Sequence, residues 1–95
     1  MDLKQLRILR AIAECGSFHG AADKLHLTQP AISHQLKSLE EEVGESLVIR
    51  SRPRVLLLPA GVAVLAAADR IEAELEELKL RFAPQESDDL AGVLR

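Results

Sequence analysis

The sequence predicts a mainly α-helical fold, in which three short helices are followed by a small β-hairpin and one long helix. Residues that typically cap helices stand at Asp2, Ser17 and Thr28, and apolar residues recur at spacings of three and four after each cap. Two segments rich in leucine and β-branched residues, 47–50 and 55–58, flank a polar stretch and indicate the hairpin. Aromatic residues make up only 2% of the chain, so the core must be aliphatic.

The first helix is predicted to begin after Asp2 and to end before Gly16, which favours a left-handed helix terminus. Gln5 stands three residues after the cap, a spacing typical of a capping box. Leu6 and Leu9 lie on one face of this helix, so that face should pack on the core.

The second and third helices are each preceded by a hydroxyl residue. Ser17 is expected to cap a short helix over residues 18–25, and Thr28 is expected to cap the next helix. Pro30 falls within the first turn of that third helix, where its missing N–H has no intrahelical partner to lose. The buried stripe of the third helix is predicted to consist of Ile32, Leu36, Leu39 and Val43.

A long helix is predicted from Pro59 to Phe82. Apolar residues recur along it at spacings of 4, 3, 4, 3 and 4, which keeps one seam apolar through about three heptads. About 24 helical residues span roughly 36 Å, more than the preceding domain can cover, so we expect this seam to pair two copies of the chain. The predicted dimerisation residues are Val64, Ala68, Ile71, Leu75, Leu78 and Phe82.

Composition and spacing argue against several classes of protein. The single Cys15 cannot form an internal disulfide, and no Cys/His cluster has metal-ligand spacing. No nucleophile–base pair and no phosphate loop is present, so we predict no enzymatic activity, metal or cofactor in this chain. No apolar run reaches the length of a membrane span. The net charge is −3, but residues 1–58 carry eight basic and seven acidic residues, whereas residues 59–95 carry four and eight.

Three helices followed by a hairpin form a winged helix-turn-helix, in which the third helix enters the major groove of DNA. Gln can pair with adenine, Ser bonds several base edges, and Ala or Pro can contact a thymine methyl group. The hairpin, or wing, has a basic tip, and we expect it to contact the backbone or minor groove of DNA. The predicted DNA-binding residues are Ser17, Thr28, Gln29, Pro30, Ala31, Ser33, His34, Lys37, Arg50, Arg52 and Arg54.

Several segments together resemble the N-terminal domain of LysR-type transcription regulators. They are Asp2-Leu3-Lys4-Gln5-Leu6-Arg7, Gly16-Ser17-Phe18, Ala21-Ala22, the run from Leu25 to Ser33, the run from Leu39 to Gly44, Leu47, Arg50 and Ala60-Gly61. The resemblance covers roughly residues 1–83. It implies a cytoplasmic bacterial regulator that dimerises by antiparallel pairing of its linker helix, forms tetramers in some full-length members, and binds a small-molecule inducer in a C-terminal domain.

With this resemblance, the chain is expected to divide into a winged helix-turn-helix DNA-binding domain at 1–58, a linker (dimerisation) helix at 59–83, and a segment at 84–95 that contains a polar linker and the start of an effector-binding domain. The chain departs from the family pattern in four places. His34 replaces the usual Arg, Val48 the usual Phe, Leu58 the usual Thr, and Arg52-Pro53-Arg54 the usual glycine-rich tip.

Two other functions remain open from the sequence alone. A winged helix can act as a protein-interaction module, although an acidic or apolar third-helix face would then be expected. The chain could also be a stand-alone metal or redox sensor built on Cys15, His19, His26 and His34, but these residues come from different predicted elements and lack ligand spacing.

Overall fold

The computed structural model describes residues 1–51 and 53–83. It contains α1 (Leu3–Cys15), α2 (Phe18–Leu25), α3 (Gln29–Val43), β1 (Val48–Arg50), β2 (Val55–Leu57) and α4 (Pro59–Phe82). The predicted mainly helical fold, a winged helix-turn-helix followed by one long helix, is thereby confirmed. The predicted wing residue Arg52 and the predicted linker 84–95 lie outside the described residues. None of the helices within the described ranges is long and apolar enough to cross a membrane.

Each of the first three helices begins at a side-chain cap. The three cap oxygens accept backbone N–H bonds as predicted: Asp2 Oδ1 from Gln5 at 2.8 Å, Ser17 Oγ from Gly20 at 2.9 Å and Thr28 Oγ1 from Ala31 at 3.2 Å. The expected capping box is only half formed. The Gln5 side chain is buried and donates to Gln35 Oε1 at 3.0 Å, so it joins α1 to α3 instead of returning to its own helix terminus.

Residues in the left-handed region end the same three helices. Gly16 and Gly44 end α1 and α3 at φ of 71° and 85°, a region that glycine adopts without steric cost. His26 ends α2 at φ of 59°, and no other residue besides glycine has a positive φ among the described residues. This tight turn sets α3 across α2, which is the arrangement of a helix-turn-helix.

The core lies where α1, α2 and α3 meet. It is aliphatic apart from Phe18, as the composition predicts, and its fully buried large side chains are Ile8, Leu9, Ile12, Ile32, Leu39 and Leu47. The wing closes one end of this core. β1 and β2 are antiparallel, and the Val55 N–H donates to Gly16 O at 2.9 Å, so the wing is bonded to the α1–α2 turn.

The linker helix α4 packs on this domain along its first half only. Gly61 and Ala68 are buried, and Val64 and Leu65 pack against the core. Two ion pairs then join α4 to α1, with Arg10 Nη2 at 2.5 Å from Asp69 Oδ1 and Arg7 Nε at 2.8 Å from Glu72 Oε2. Beyond these pairs most residues of the helix are exposed to solvent.

Candidate nucleic-acid interface

The outer face of α3 presents the residues that the sequence predicted to contact DNA. Ile32, Leu36 and Leu39 bury the opposite face in the core, which directs the predicted base-contacting residues outward. The predicted residues on or next to this helix that are exposed are Thr28, Gln29, Pro30, His34 and Lys37, whereas Ala31 and Ser33 are half-buried. The Thr28 hydroxyl accepts the Ala31 N–H, so its first task is to cap the helix.

A second predicted contact, Ser17, lies at the N-terminus of α2. Helix N-termini attract anions because their first amides have no intrahelical partner. A cleft of about 230 Å³ opens at this terminus, between the α1–α2 turn and the wing. Its lining consists of Gly16, Ser17, Phe18, Arg50, Ser51, Pro53 and Val55. The cleft therefore combines helix amides, hydroxyl groups and a guanidinium, which are the groups that bind phosphate oxygens.

Arg50 connects three elements around this cleft. Its guanidinium carbon lies 4.0 Å from the centroid of the Phe18 ring, a distance typical of a cation–π contact. Arg50 Nη2 also donates to Ser33 Oγ at 3.5 Å, a long hydrogen bond. The sequence predicted Arg50 as a wing residue, but the structure places its side chain between the first residue of α2 and the recognition face of α3. No sequence spacing signalled the contact with Phe18.

Arg54 follows the wing tip and folds over the α1–α2 turn. A methyl group at Gly16 would lie 2.7 Å from Arg54 Nη2, so the guanidinium is placed directly above this glycine. Among the described residues, no carboxylate lies within ion-pair distance of Arg50, Arg54 or Lys37. Their charges therefore remain available on the face that includes α3 and the wing.

Other basic residues of the domain are paired away from this face. Lys24 Nζ lies 2.6 Å from Glu14 Oε1, and this hydrogen bond raises the pKa of Lys24. Arg7 and Glu72 form a similar pair, in which the donated hydrogen bond raises the pKa of Arg7 and lowers that of Glu72. The overall negative charge of the chain is compatible with a basic interface, because five acidic residues lie on α4 and the three on α3, Glu40, Glu41 and Glu42, lie at the C-terminal end of that helix.

The structure also brings a residue to α3 that the sequence did not predict there. His19 of α2 lies with its Nδ1 at 3.2 Å from Gln29 Nε2. From the sequence alone, His19 is a candidate only for a metal site. Among residues 1–51 and 53–83, no group of three or more His, Cys, Asp or Glu side chains is arranged to hold a metal ion.

The predicted dimerisation seam divides into a buried and an exposed half. Ala68 is 1% exposed within its own chain and Val64 packs on the core, because this part of α4 covers its own domain. Ala68 therefore has no surface left to offer a partner, and the seam proposed below excludes it. Ile71, Leu78 and Phe82 are 43%, 51% and 74% exposed, and Leu75 is half-buried.

An apolar groove of about 350 Å³ lies beside the buried half of this seam. Residues of α1, α3 and α4 line it together with the N-terminal residue, namely Met1, Leu6, Val43, Ala63, Val64, Ala67 and Ile71. The groove and the exposed half of the seam therefore follow each other along α4, with Ile71 common to both.

Comparison with known proteins identifies the family. The family described as "Bacterial regulatory helix-turn-helix protein, lysR family" matches residues 3–62. The chain belongs to the LysR family. The resemblance found in the sequence is thereby confirmed, and the relatives named below are transcription regulators.

Two relatives show how much of a LysR protein this chain represents. The chain is 49% identical over 76 residues to a "Probable RuBisCO transcriptional regulator" of Cyanophora paradoxa, and the aligned region covers 80% of this chain and 24% of that protein. It is 35% identical over 94 residues to "DNA-binding transcriptional dual regulator OxyR" of Escherichia coli, covering 99% of this chain and 30% of OxyR. The chain thus spans about a quarter to a third of the length of these relatives.

Solved structures of LysR proteins share the fold. The crystal structure of a "CbnR_DBD-DNA complex" matches with a TM-score of 0.79 at 37% identity, over 85% of this chain and 93% of that one. The "BenM_DBD/catB site 1 DNA Complex" matches with a TM-score of 0.79 at 32% identity, over 97% and 98%. Full-length LysG from Corynebacterium glutamicum "with bound effector Arg" matches with a TM-score of 0.81 at 34% identity, over 87% of this chain and 28% of LysG.

Proposed function

We propose that this chain is the sequence-specific double-stranded DNA-binding part of a bacterial transcription regulator. One observation carries the proposal: Arg50, which lines the cleft at the N-terminus of α2, also donates to Ser33 on α3 and so joins this cleft to the recognition helix. An α-helix fits the major groove, and a helix N-terminus with a neighbouring arginine binds the adjacent phosphate. The two structures with TM-scores of 0.79, which are titled DNA complexes, support the same reading.

The residues on α3 divide into base-contacting and phosphate-contacting groups. Gln29 carries an acceptor and a donor side by side, which suits adenine, and Ser33 offers a hydroxyl one helical turn later. Pro30 and Ala31 supply apolar contact for a thymine methyl group. Lys37 is exposed one turn beyond Ser33 and suits a phosphate. In this proposal His34, where the family usually has Arg, makes fewer hydrogen bonds to DNA than a guanidinium would.

The wing supplies affinity that does not depend on base sequence. Arg54 and Arg52 belong to the wing, and Arg50 and Ser17 reach the cleft at the N-terminus of α2. Each phosphate neutralised by such a residue releases counterions, so binding should weaken steeply with salt. This proposal assigns Thr28 a structural part, as the cap that holds the N-terminus of α3 in place.

We also propose that two chains pair through α4. Ile71, Leu75, Leu78 and Phe82 form an apolar strip on a helix half that its own domain leaves exposed. In the antiparallel arrangement that the family implies, the strip of one chain would lie against the groove beside Val64 of the other chain. The strip of the second chain would lie in the same way against the groove of the first. The two contacts are equivalent, which is the condition for a closed twofold dimer.

The finer description of the whole protein follows from family membership. We propose a cytoplasmic regulator without enzymatic activity, divided into a DNA-binding domain at 1–58 and a linker helix at 59–83. A small-molecule-sensing domain after the segment 84–95 and a tetrameric full-length form belong to the same proposal. The LysG structure with bound Arg supports a small-molecule effector for that domain.

Selection of bound sequences from random duplex DNA tests this function directly. We expect enrichment of two half-sites related by dyad symmetry, because a twofold dimer presents two identical recognition helices. The matched control is the variant Gln29→Ala with Ser33→Ala, which should retain binding but lose enrichment at the bases these residues contact. Absence of any enrichment, with binding only to other proteins, would favour a protein-interaction module instead.

A further inference from the structure

His19 occupies a position between the recognition helix and a carboxylate. It lies on α2, and its side chain is 74% exposed. Its Nδ1 atom is 3.2 Å from Gln29 Nε2 on α3, and its Nε2 atom is 3.4 Å from Asp23 Oδ2, one turn further along α2. The imidazole therefore bridges Asp23 to the first residue of the recognition helix.

The carboxylate determines which ring nitrogen carries the proton. Nε2 faces the Asp23 carboxylate at 3.4 Å, an ion-pair distance, and a negative carboxylate favours a proton over a lone pair on the nearest ring nitrogen. In the neutral ring the other nitrogen, Nδ1, is then an acceptor, and the Gln29 amide nitrogen donates to it. This fixes the amide with its NH2 group toward His19 and its carbonyl oxygen away from it.

The orientation has a direct consequence for base recognition. The Gln29 amide nitrogen has two N–H bonds, and His19 uses one of them. The N–H on the same side as the carbonyl oxygen forms, with that oxygen, the donor–acceptor pair that matches N7 and N6 of adenine, and this pair is free when His19 takes the other N–H. A glutamine without this partner would rotate between orientations and would have to be ordered when DNA binds.

We propose that His19, itself held by Asp23, is a positioning residue that orients the Gln29 amide and thereby sets the preference of this protein for adenine at one base pair. The inference rests on the proposed DNA-binding function, because it concerns how one of the reading residues is presented. His19 acts through Gln29 and does not itself contact the base. Its effect should therefore be confined to the base pair that Gln29 reads.

The experiment is a competition assay with the 95-residue chain on duplexes that differ at single base pairs of the selected site. Gln29→Ala locates the base pair, since the adenine preference should disappear there. His19→Ala should reduce the preference at that base pair by about 3- to 10-fold, the effect of one ordering hydrogen bond. Preferences at the other base pairs and affinity for random DNA should not change.

Two further variants separate positioning from other effects. His19→Asn places an amide oxygen close to the position of Nδ1 and should restore the preference, whereas His19→Gln extends past it and should not. In the double variant, His19→Ala should add nothing to Gln29→Ala. Asp23→Ala should lower the preference in the same direction as His19→Ala. The exposure of His19 and Asp23 makes loss of folding unexpected, and circular dichroism checks this.

The outcomes are distinguishable. An even loss of affinity on all sequences in His19→Ala would show that His19 binds a phosphate, which overturns the inference. An unchanged preference in His19→Ala overturns it as well and leaves the proposed function intact. No effect of Gln29→Ala at any base pair would overturn it together with the proposed base contact of Gln29, while selection of a sequence by the unaltered chain would still support specific DNA binding. Failure of the unaltered chain to select any sequence would instead refute the proposed function.

Discussion

The contact between α4 and the wing depends on a residue without a side chain. Gly61 stands in the first turn of α4 and is buried, and the Leu47 carbonyl oxygen beside it accepts the Leu58 N–H at 2.9 Å. A methyl group at Gly61 would lie 3.0 Å from Leu57 Cδ2 and 3.1 Å from the Leu47 carbonyl carbon, and closer still to the carbonyl oxygen. Because two of these atoms are backbone, no change of rotamer removes the overlap.

The expected effect of Gly61→Ala is the balance of two opposed contributions. In an open helix the change would stabilise by about 1 kcal/mol, since alanine has the higher helix propensity. Here carbon atoms that rest about 3.5–4.0 Å apart would be forced closer, so the start of α4 must move by roughly half an ångström to 1 Å. Overpacking of this kind costs about 1–3 kcal/mol, and we expect the net sign to be destabilising.

Thermal unfolding followed by circular dichroism at fixed protein concentration measures this effect. A loss of 1 kcal/mol corresponds to a decrease in Tm of roughly 4–8 °C for a domain of this size. Gly44→Ala is the matched control, because a methyl group there meets nothing within 4 Å and the cost arises only from φ of 85°. If Gly61→Ala were as stable as the unaltered chain or more stable, the steric argument for the docking of α4 would be refuted.

Arg50→Ala should weaken binding to specific and random DNA alike and lower the salt slope by about 0.9, since one phosphate contact is lost; an unchanged slope in a salt titration would contradict the phosphate contact. Ile71→Glu should convert the dimer to a monomer in sedimentation, because a charge would be buried against the partner, and an unaltered chain that is monomeric at tens of micromolar would contradict the pairing. Glu72→Gln should lower Tm slightly at neutral pH but not in acid, because the hydrogen bond from Arg7 lowers the pKa of Glu72. The ion pair therefore stabilises the fold above the usual glutamate pKa of about 4.3, and this stabilisation is lost as the pH falls through the lowered pKa. Glu77→Gln is the control for the last comparison, and an equal difference in Tm at both pH values would refute the ion pair.

Local sequence signals predicted the helices closely because the determinants themselves are local. Asp2, Ser17 and Thr28 cap the helices that they were predicted to cap, and a cap is a hydrogen bond between residues three apart. Gly16 and Gly44 end helices for an equally local reason, the left-handed conformation of a single residue. These features depend little on the rest of the chain.

The departures from expectation arise where a residue had two possible partners. Gln5 has the spacing of a capping box, yet it bonds Gln35, which only the packing of α1 on α3 brings near. Ala68 satisfies the heptad spacing of a dimer seam, yet it is buried against its own domain. Spacing shows that a face is apolar, but not which surface covers it.

In the candidate DNA interface, too, some features follow from local sequence and others depend on how the elements pack. The exposure of Gln29 and Lys37 follows from the buried stripe on the opposite face of α3, so the helical period is enough to predict it. The contacts of Arg50 with Phe18 and of His19 with Gln29 join residues of separate elements. No helical spacing or sequence motif links the residues of such a pair. The distance between their side chains depends on how the two elements pack against each other.

The attachment of α4 would connect the proposed dimerisation to DNA recognition. Close packing at Gly61, the burial of Ala68 and the two ion pairs to α1 fix the first half of this helix relative to the domain. The second half, which carries the proposed seam, continues the same helix, so its direction is set by those contacts. Since α1 also packs on α2 and α3, the seam and the recognition helix are parts of one packed unit. Pairing of two chains through the proposed seam would therefore fix the separation of the two recognition helices, and the residues that attach α4 to its domain would then set the half-site spacing of a DNA site bound by such a dimer.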